Sequence, residues 1–219
     1  TFDERGNEVR VEYFGVDGSK VTEKKIFRIK EYLDDNGDKV EEYYDAFGKP
    51  VINDEGFFKF KKTIIKDGDL TAYLIRYFGI DDKPILIRND EISQHKMTFN
   101  KHRVIRYENY GINGEPRDCQ RLGFARSEHT HDERGNGIRV EFFGADGKPV
   151  IHKDGYAEVR NTFDERGKKV KVEYFGVDGK PVLHKDGYAE VKNTFDERGN
   201  EVRREYFDCD GKLIHIIEH

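Results

Sequence analysis

Short stretches of the chain alternate between apolar and charged residues. In KVKVEY, residues 169–174, the valines and the tyrosine fall on one side of an extended backbone, and the lysines and the glutamate fall on the other. The segments AEVKNTF at 189–195 and EVRREY at 201–206 follow a similar alternation. Because successive side chains of a strand point to opposite faces, this pattern predicts half-buried β-strands. No segment of useful length has helical periodicity, so helical repeats are not expected.

Glycine-containing turns separate these stretches. In DERGN, residues 196–200, Gly199 supplies the positive φ that a type I turn followed by a bulge requires, so the flanking strands form a hairpin. VDG at 177–179 predicts a second tight turn. Pro181 then begins an extended segment, and the loop HKDG at 184–187 leads to the next unit.

The turn phrase FDERGN, or a weaker version of it, recurs along the whole chain. Successive copies begin 31, 31, 35, 32, 32 and 32 residues apart, and all five prolines fall at one place in the unit. We therefore expect one tandem-repeat domain over residues 1–219, with six full units and a truncated seventh, of which the stretch 64–130 is divergent. The units begin at Phe2, Leu33, Ile64, Phe99, His131, Phe163 and Phe195.

An aromatic pair recurs in nearly every unit, with one member expected on each face of the hairpin. A single hairpin cannot bury its own face, so neighbouring units must stack. The predicted fold class is therefore all-β, an elongated repeat array of stacked antiparallel β-hairpins with about seven units of 31–35 residues. The second members form a candidate aromatic ladder for a partner or ligand: Phe14, Tyr44, Phe78, Tyr110, Phe143, Phe175 and Phe207.

Composition narrows the choice of class. Hydrophobic residues make up 35% of the chain, against roughly 45–50% in compact domains, while an aromatic content of 13% argues against disorder. The net charge is −5 and the basic residues are interspersed with acidic ones, so a nucleic-acid partner is not expected. No apolar run is long enough for membrane insertion.

The two cysteines, Cys119 and Cys209, occupy different places in their units, which predicts free thiols. The chain begins at Thr1 inside a repeat and without an initiator Met, so we expect a fragment of a longer protein. Its localisation is therefore not predicted, although few cysteines are compatible with the cytoplasm.

The phrases FDERGN and YFGVDGKPV resemble bacterial tandem β-hairpin repeats. They are similar to the MORN-variant type and to the YD repeats of Rhs-like proteins, in which an aromatic-Asp turn with Gly and Asn punctuates each unit. YFGVDGK is also similar to the shorter, Trp-rich units of choline- and glucan-binding repeats, although this chain has no Trp. The resemblance implies scaffolding, adhesion or partner docking, and it assigns no residue a role.

A histidine series, His152, His184 and His215, recurs at intervals of 32 and 31 residues. Aligned imidazoles could bind a transition metal or change charge near neutral pH. Duplication of a solvated loop position explains the spacing without any function, and we favour that explanation.

Three other groups carry possible chemistry. DCDG at 208–211 begins like a calcium loop but lacks its later ligands. His129 and His131 lie near Cys119 in sequence, but alternating histidines simply share a strand face. The third group is an arginine series that could bind acidic partners or form surface ion pairs with the preceding glutamates: Arg5, Arg134, Arg166 and Arg198.

A catalytic site needs unlike residues that converge, whereas tandem copies place like residues in a row. We therefore expect no enzyme, no cofactor and no metal. The leading functional hypothesis is a structural or protein-interaction array, a segment of a larger bacterial protein that docks a protein partner through the divergent units 64–130. The alternative is carbohydrate or cell-envelope binding through an exposed aromatic ladder. A third possibility is a regulatory or substrate segment of a bacterial toxin or defence system.

The assignment of side chains to the two faces of a strand predicts the effects of two substitutions. Val172→Asp should cost several kcal/mol because it buries a charge, whereas Lys171→Asp on the opposite face should cost little.

Overall fold

The computed structural model describes residues 28–45 and 47–219, and in these ranges the chain forms thirteen β-strands and no helix. It divides into two compact units. Among the described residues, the first unit contains 28–45, 47–102 and Asn109–Glu115, and the second contains Arg103–Glu108 and Pro116–His219. The predicted all-β class and its antiparallel hairpins are confirmed.

The strands follow one another in sequence order. Within each unit, every strand pairs antiparallel with its neighbours in sequence. The first unit contains β1 (Arg28–Leu33), β2 (Lys39–Tyr44), β3 (Lys59–Asp67), β4 (Leu70–Phe78) and β5 (Gln94–Asn100), and the end of β6. The second contains most of β6 (Arg103–Tyr110), β7 (Arg126–His131), β8 (Gly137–Phe143), β9 (Glu158–Phe163), β10 (Lys169–Phe175), β11 (Glu190–Phe195), β12 (Glu201–Phe207) and β13 (Leu213–Glu218).

In the described part of the chain, the first turn of each consensus repeat joins two paired strands, as the glycine predicts. Between β11 and β12, the Asp196 N–H donates to the Asn200 carbonyl at 2.9 Å, and the Gly199 N–H donates back to the Asp196 carbonyl at 3.0 Å. Gly199 has a φ of 83°, and the strand register shifts beside it. The Asp196 carboxylate also accepts the Asn200 N–H at 2.8 Å, so the aspartate closes its own turn.

The two divergent hairpins close differently. Only Gly68 and Asp69 separate β3 from β4, and only Lys101 and His102 separate β5 from β6. Lys101 and His102 both have positive φ, 46° and 70°, as two-residue hairpin loops of the I′ type require. The phrases IIKDGD and FNKHR are therefore not weak copies of the bulged turn. They form shorter turns, so β3 and β4 extend to nine residues each.

The second turn is a five-residue copy of the same geometry. The Gly176 N–H donates to the Lys180 carbonyl at 2.8 Å, and the Gly179 N–H donates to the Gly176 carbonyl at 3.0 Å. Phe175 then bridges to Pro181. First and second turns alternate along the chain, so they lie at opposite ends of the strands.

A third turn, at residues 184–188, connects one repeat to the next and also contacts the third turn of the neighbouring repeat. The His184 N–H donates to the Tyr188 carbonyl at 2.7 Å and closes a loop that the chain forms before each new hairpin. Neighbouring third turns also bond to each other, since the Lys185 N–H donates to the Asp154 carbonyl at 2.7 Å. In the first unit the Arg88 N–H donates to the Glu55 carbonyl at 2.8 Å in the same way. Third turns therefore form a contact series of their own beside the strands.

The strand faces follow the predicted phase, with one correction. Val172 lies opposite Asn161 and Val191 on the apolar side. On the other side, the Lys171 ammonium lies 2.7 Å from Glu173 and 3.0 Å from Glu190. Lys171→Asp would place three carboxylates together, so we now expect this change to be destabilising instead of nearly neutral.

Val191 gives the sharper test of the strand phase, because it is buried and Val172 is half-buried. We expect Val191→Asp to lower the free energy of unfolding by about 3 kcal/mol, because a charge would be buried without a partner. Thr194→Asp, an exposed change in the same strand, should stay within about 0.5 kcal/mol of the wild type. Urea denaturation measures both values, and similar losses at the two positions would contradict the assigned faces.

Candidate functional site

A continuous series of stacked rings fills the apolar side of the second unit. Each third turn contributes an aromatic residue that packs between strand aromatics of successive hairpins. Tyr156 lies 4.8 Å from Tyr174, and Tyr188 lies 5.0 Å from Tyr206, between ring centroids. We call this series the ring stack, and it contains Phe124, Phe142, His152, Tyr156, Tyr174, His184, Tyr188, Tyr206 and His215.

The histidine series belongs to this ring stack. His184 lies 4.9 Å from Tyr174 and 5.3 Å from Tyr188, so tyrosine rings separate it from His152 and His215. Its Nδ1 accepts the Asp186 N–H at 3.2 Å within the third turn. In the described residues, no group of three or more His, Cys, Asp or Glu side chains could hold a metal ion.

Other residue types take the same position in other repeats. In the first unit, the Asn53 side-chain oxygen accepts the Phe57 N–H at 3.1 Å, much as the imidazoles accept an N–H in their turns. Buried Cys119 begins the corresponding turn of a divergent repeat, and no disulfide joins it to exposed Cys209. A position that accepts Asn, Cys or His serves turn closure and packing.

Burial favours the neutral forms of Tyr156, Tyr174, Tyr188 and His152 in the ring stack. Desolvation raises the pKa values of Tyr156, Tyr174 and Tyr188. Desolvation also lowers the pKa of His152, although the nearby Asp154 carboxylate opposes this. Neutral rings that stack without charge repulsion suit a packing role.

The predicted aromatic ladder lies on the opposite side of the strands, where cations cover its rings. The guanidinium carbon of Arg160 lies 4.1 Å from the centroid of Phe175, and that of Arg126 lies 4.5 Å from Phe143. Lys192 covers Phe207 at 4.4 Å. Phe175 is buried and the rest are half-buried. The described ladder residues are Tyr44, Phe78, Tyr110, Phe143, Phe175 and Phe207, and Phe14 lies outside the described residues.

Carboxylates on this side alternate with the cations. Buried Glu158 accepts hydrogen bonds from Arg139, at 2.6 Å, and from Arg160. Burial opposes ionisation of Glu158, but the two guanidinium groups outweigh it and lower its pKa. Lys171 and Lys192 lower the pKa of Glu190 in the same way against its burial. The charges of this side therefore neutralise one another.

The arginine series joins successive first turns. The Arg134 guanidinium donates to the Glu165 carbonyl at 2.6 Å, and that of Arg166 donates to the Glu197 carbonyl at 2.9 Å. A cavity of about 190 Å³ lies between the last two of these turns, lined by Asp164, Lys168 and Phe195 among others. It is smaller than typical ligand sites, which begin at roughly 300 Å³. At Arg134 and Arg166, bonds to the next repeat replace the expected pairing with the preceding glutamates, and Arg5 lies outside the described residues.

First turns and second turns carry different residue types at their tips. The second residue of a turn lies at its tip. In first turns this residue is an exposed glutamate, as at Glu165 and Glu197. Second turns carry apolar residues at that position, and Ile80, Ile112 and Val177 are 53%, 42% and 55% exposed. Exposed Ala145 and Cys209 occupy the same place. We call these five residues the tip row, of which Ile80 and Ile112 belong to the first unit and Ala145, Val177 and Cys209 to the second.

The second unit carries further exposed apolar residues in the segments that follow its second turns. Ile151, Leu183 and Ile214 each follow a second turn by a few residues, and their exposure is 43%, 47% and 47%. We call them the shoulder row. Sequence analysis missed both rows, although the signal was present in GVDG, GIDD and GING, where a branched apolar residue repeatedly sits at a turn tip.

The inter-repeat arginine contact can be tested with an internal control. Arg166→Ala should lower the free energy of unfolding by about 1 kcal/mol, because it removes a charged donor from the next turn. Arg198 occupies the same place in the following turn, and the described residues offer it no further first turn as an acceptor. Arg198→Ala should therefore change stability by less than about 0.5 kcal/mol. Equal losses in thermal or urea unfolding would contradict the proposed contact.

The burial of His95 in the first unit predicts how the stability of the protein depends on pH. Its ring lies 5.7 Å from that of Tyr77, and burial lowers its pKa from 6.5 to about 4 despite the opposing charge of Asp90. The unfolded chain takes up the proton first, so stability should fall as the pH drops from about 6.5 to about 4.

The loss attributable to His95 is about 3 kcal/mol. His95→Phe retains an aromatic ring and removes the titration, so the difference in unfolding free energy between pH 7 and pH 4 should shrink by about this amount. Urea titrations at several pH values measure it. An unchanged pH dependence in His95→Phe would show that His95 titrates normally.

Comparisons with known proteins do not identify a family for this chain. The sequence matches no protein-family model, and no curated protein matches it. Among the described residues, no helix is long and apolar enough to cross a membrane.

Proposed function

We propose that this chain is a non-enzymatic array that docks a protein partner through the tips of its second turns. The finer identity that we propose is a tandem β-hairpin repeat of the MORN-variant or YD type from a larger bacterial protein. The observation that carries the docking proposal is the tip row, since its apolar side chains are exposed at positions where folding does not require them.

The first turns of the same molecule show whether an apolar tip residue is needed to form a turn of this geometry. Both turn types have the same pattern of backbone hydrogen bonds and a glycine with positive φ, 83° at Gly199 and 74° at Gly179. First turns form with glutamate at the tip, so an apolar tip is not needed to make the turn. Exposed apolar side chains that recur in successive repeats mark a surface that is covered by a partner.

The divergent units contribute the largest members of the tip row. Ile80 and Ile112 both fall within 64–130, the stretch where the sequence hypothesis places the partner site. The consensus repeats place the smaller Val177 and Ala145 at the same position. Larger apolar tips bury more area on contact, which favours the divergent units as the stronger part of the docking surface.

Carbohydrate binding through the aromatic ladder is the second candidate. The half-buried rings of Phe143 and Phe207 support it, since they recur once per hairpin on the charged side. Arg126 and Lys192 already cover these rings, so a sugar must displace a cation before it stacks. Because of this cost, we consider the aromatic ladder a weaker candidate for the binding surface than the tip row.

Affinity capture with two matched variants tests the docking proposal. In the tip variant, Ile80, Ile112 and Val177 are each changed to Gln, and in the control Glu133, Glu165 and Glu197 are each changed to Gln. Circular dichroism checks that both fold. We expect wild type and control to retain the same protein from a lysate of the source cells, and the tip variant to retain at least about tenfold less of it.

A parallel arm uses insoluble cell-envelope polysaccharide as the probe. If the wild type sediments with it and only Phe143→Ala and Phe207→Ala reduce sedimentation, the carbohydrate candidate replaces the docking proposal. Equal protein capture by the tip variant and the control would also reject the tip row as the docking surface.

A further inference from the structure

We infer that the end of β3, residues 64–67, binds an extended segment of another protein, which adds to the sheet as a further strand and carries apolar residues beside a basic one. We call residues 64–67 the β3 edge. The inference concerns the first unit alone and does not rest on docking at the tips of the second turns. It is carried by the strand register, by the exposure of the β3 edge and by its charges.

The register shows where β3 loses its strand partner on one side. β2 pairs with β3 only as far as Lys62, and the next side chain, Thr63, donates its hydroxyl to the Asp38 carboxylate of the neighbouring first turn at 2.8 Å. From Ile64 to the end of the strand, β3 stays paired with β4. In the part of the first unit that the structure describes, the β3 edge pairs with no strand on its other side.

The β3 edge is exposed on both faces, although the strand behind it is held in the sheet. Every residue from 64 to 67 is exposed, and Ile64 and Ile65, which point to opposite faces, are 58% and 40% exposed. Behind the edge, β4 pairs with β5 over the same length, since Leu70 lies opposite Asn100. The β3 edge therefore presents main-chain N–H and C=O groups that no described strand uses, an arrangement that accepts a further strand.

In the consensus repeats, an asparagine ties this part of the first strand to the preceding hairpin. In β11, the Asn193 amide donates to the Lys169 carbonyl at 3.0 Å, and β9 has the same bond in its own repeat. β3 has Lys62 at the corresponding place, and the Lys62 ammonium instead lies 4.0 Å from the ring centroid of Tyr73. Because β3 also continues to a two-residue loop, the free edge is a property of this divergent hairpin.

An extended segment is the backbone that fits such an edge. An α-helix bonds its main-chain groups internally except at its ends, so it cannot continue the ladder of a sheet. Ile64 lies opposite Tyr73 on one face of the sheet, and Ile65 lies opposite Ala72 on the other. An added strand extends both of these cross-strand rows. We therefore expect apolar residues at two consecutive positions of the partner segment, one against each isoleucine.

The charges at the end of this hairpin indicate a basic residue in the partner segment. Asp67 and Asp69 are both exposed, and Lys66 is the one cation among residues 64–69. Carboxylates therefore outnumber ammonium groups beside the β3 edge, which favours a segment that carries Lys or Arg. A second copy of this chain would bring the same net negative charge to the edge, so it is disfavoured as the occupant.

Peptide selection on the full chain tests the β3 edge. Random peptides displayed on phage are selected on the wild type, and those that also bind the edge variant, Ile64→Lys with Ile65→Lys, are removed. The matched control is Ile80→Lys with Ile112→Lys, which makes the same change at two exposed isoleucines of the first unit. Circular dichroism checks that both variants fold, and Ile64→Lys alone replaces the edge variant if the double change unfolds the chain.

We expect the selected peptides to bind the wild type and the control with similar affinity, and to bind the edge variant at least about tenfold more weakly. Each peptide should contain adjacent apolar residues and a Lys or Arg. Methylation of every second backbone nitrogen of a synthetic copy removes main-chain donors and keeps the side chains. It should abolish binding in one of the two alternating phases only, because alternate N–H groups of a strand face the same neighbour. Binding should also slow amide hydrogen exchange at residues 64–67.

Several outcomes would overturn the inference. Selection that yields no peptide able to distinguish the edge variant from the control rejects the β3 edge as a binding site. A peptide that tolerates methylation in both phases, or that gains helical circular dichroism on binding, is not an added strand, and peptides without a basic residue contradict the charge argument. If the wild type sediments as a dimer and the edge variant as a monomer, a second copy occupies the edge. Capture through the tip row is measured separately, so these results leave the proposed function to its own test.

Discussion

Packing of third-turn aromatic rings between strand aromatics of successive hairpins is the contact on which the described fold depends. Tyr156 contacts Tyr174, which belongs to the following hairpin, and Tyr188 contacts Tyr206 in the same way. A hairpin alone cannot bury its apolar face. The loops therefore supply part of the cover that a second sheet or a helix layer supplies in other folds. This explains how a chain with 35% hydrophobic residues builds an ordered interior.

The ring stack also decides which surfaces remain available. It occupies the apolar side of the strands, and the opposite side neutralises its charges through pairs such as Glu158 with Arg139. The first-turn end is joined by Arg134 and Arg166. At the second turns, apolar side chains such as Val177 are exposed, although the first turns form the same backbone geometry with glutamate at that position. The proposed docking role follows from this difference between the two ends.

Sequence reasoning recovered most of the local structure. Among the described residues, alternation located the second strand of each consensus hairpin, and the glycines of FDERGN and VDGK located the turns, because period-two patterning and positive φ are local requirements. It misjudged the hairpins at Gly68 and Lys101, since two-residue loops tolerate several residue types and leave a weaker signal. The ion pairs of Lys171 were not predicted, because its carboxylate partners lie two residues away and on another strand. The single domain over 1–219 stays a prediction.

The sequence by itself determined the repeat period, the all-β class and the two faces of each strand, because each depends on residues within one unit. Only the tertiary structure decided what the loops and the repeated side chains do. His184 is a packing and turn-closing residue because its neighbours are Tyr174 and Tyr188, and Arg166 contacts the next turn because hairpins stack. Contacts between repeats involve residues about 30 positions apart, and a repeated sequence places the same residue types at every such position. The pattern alone cannot distinguish a copied surface residue from one that holds two copies together.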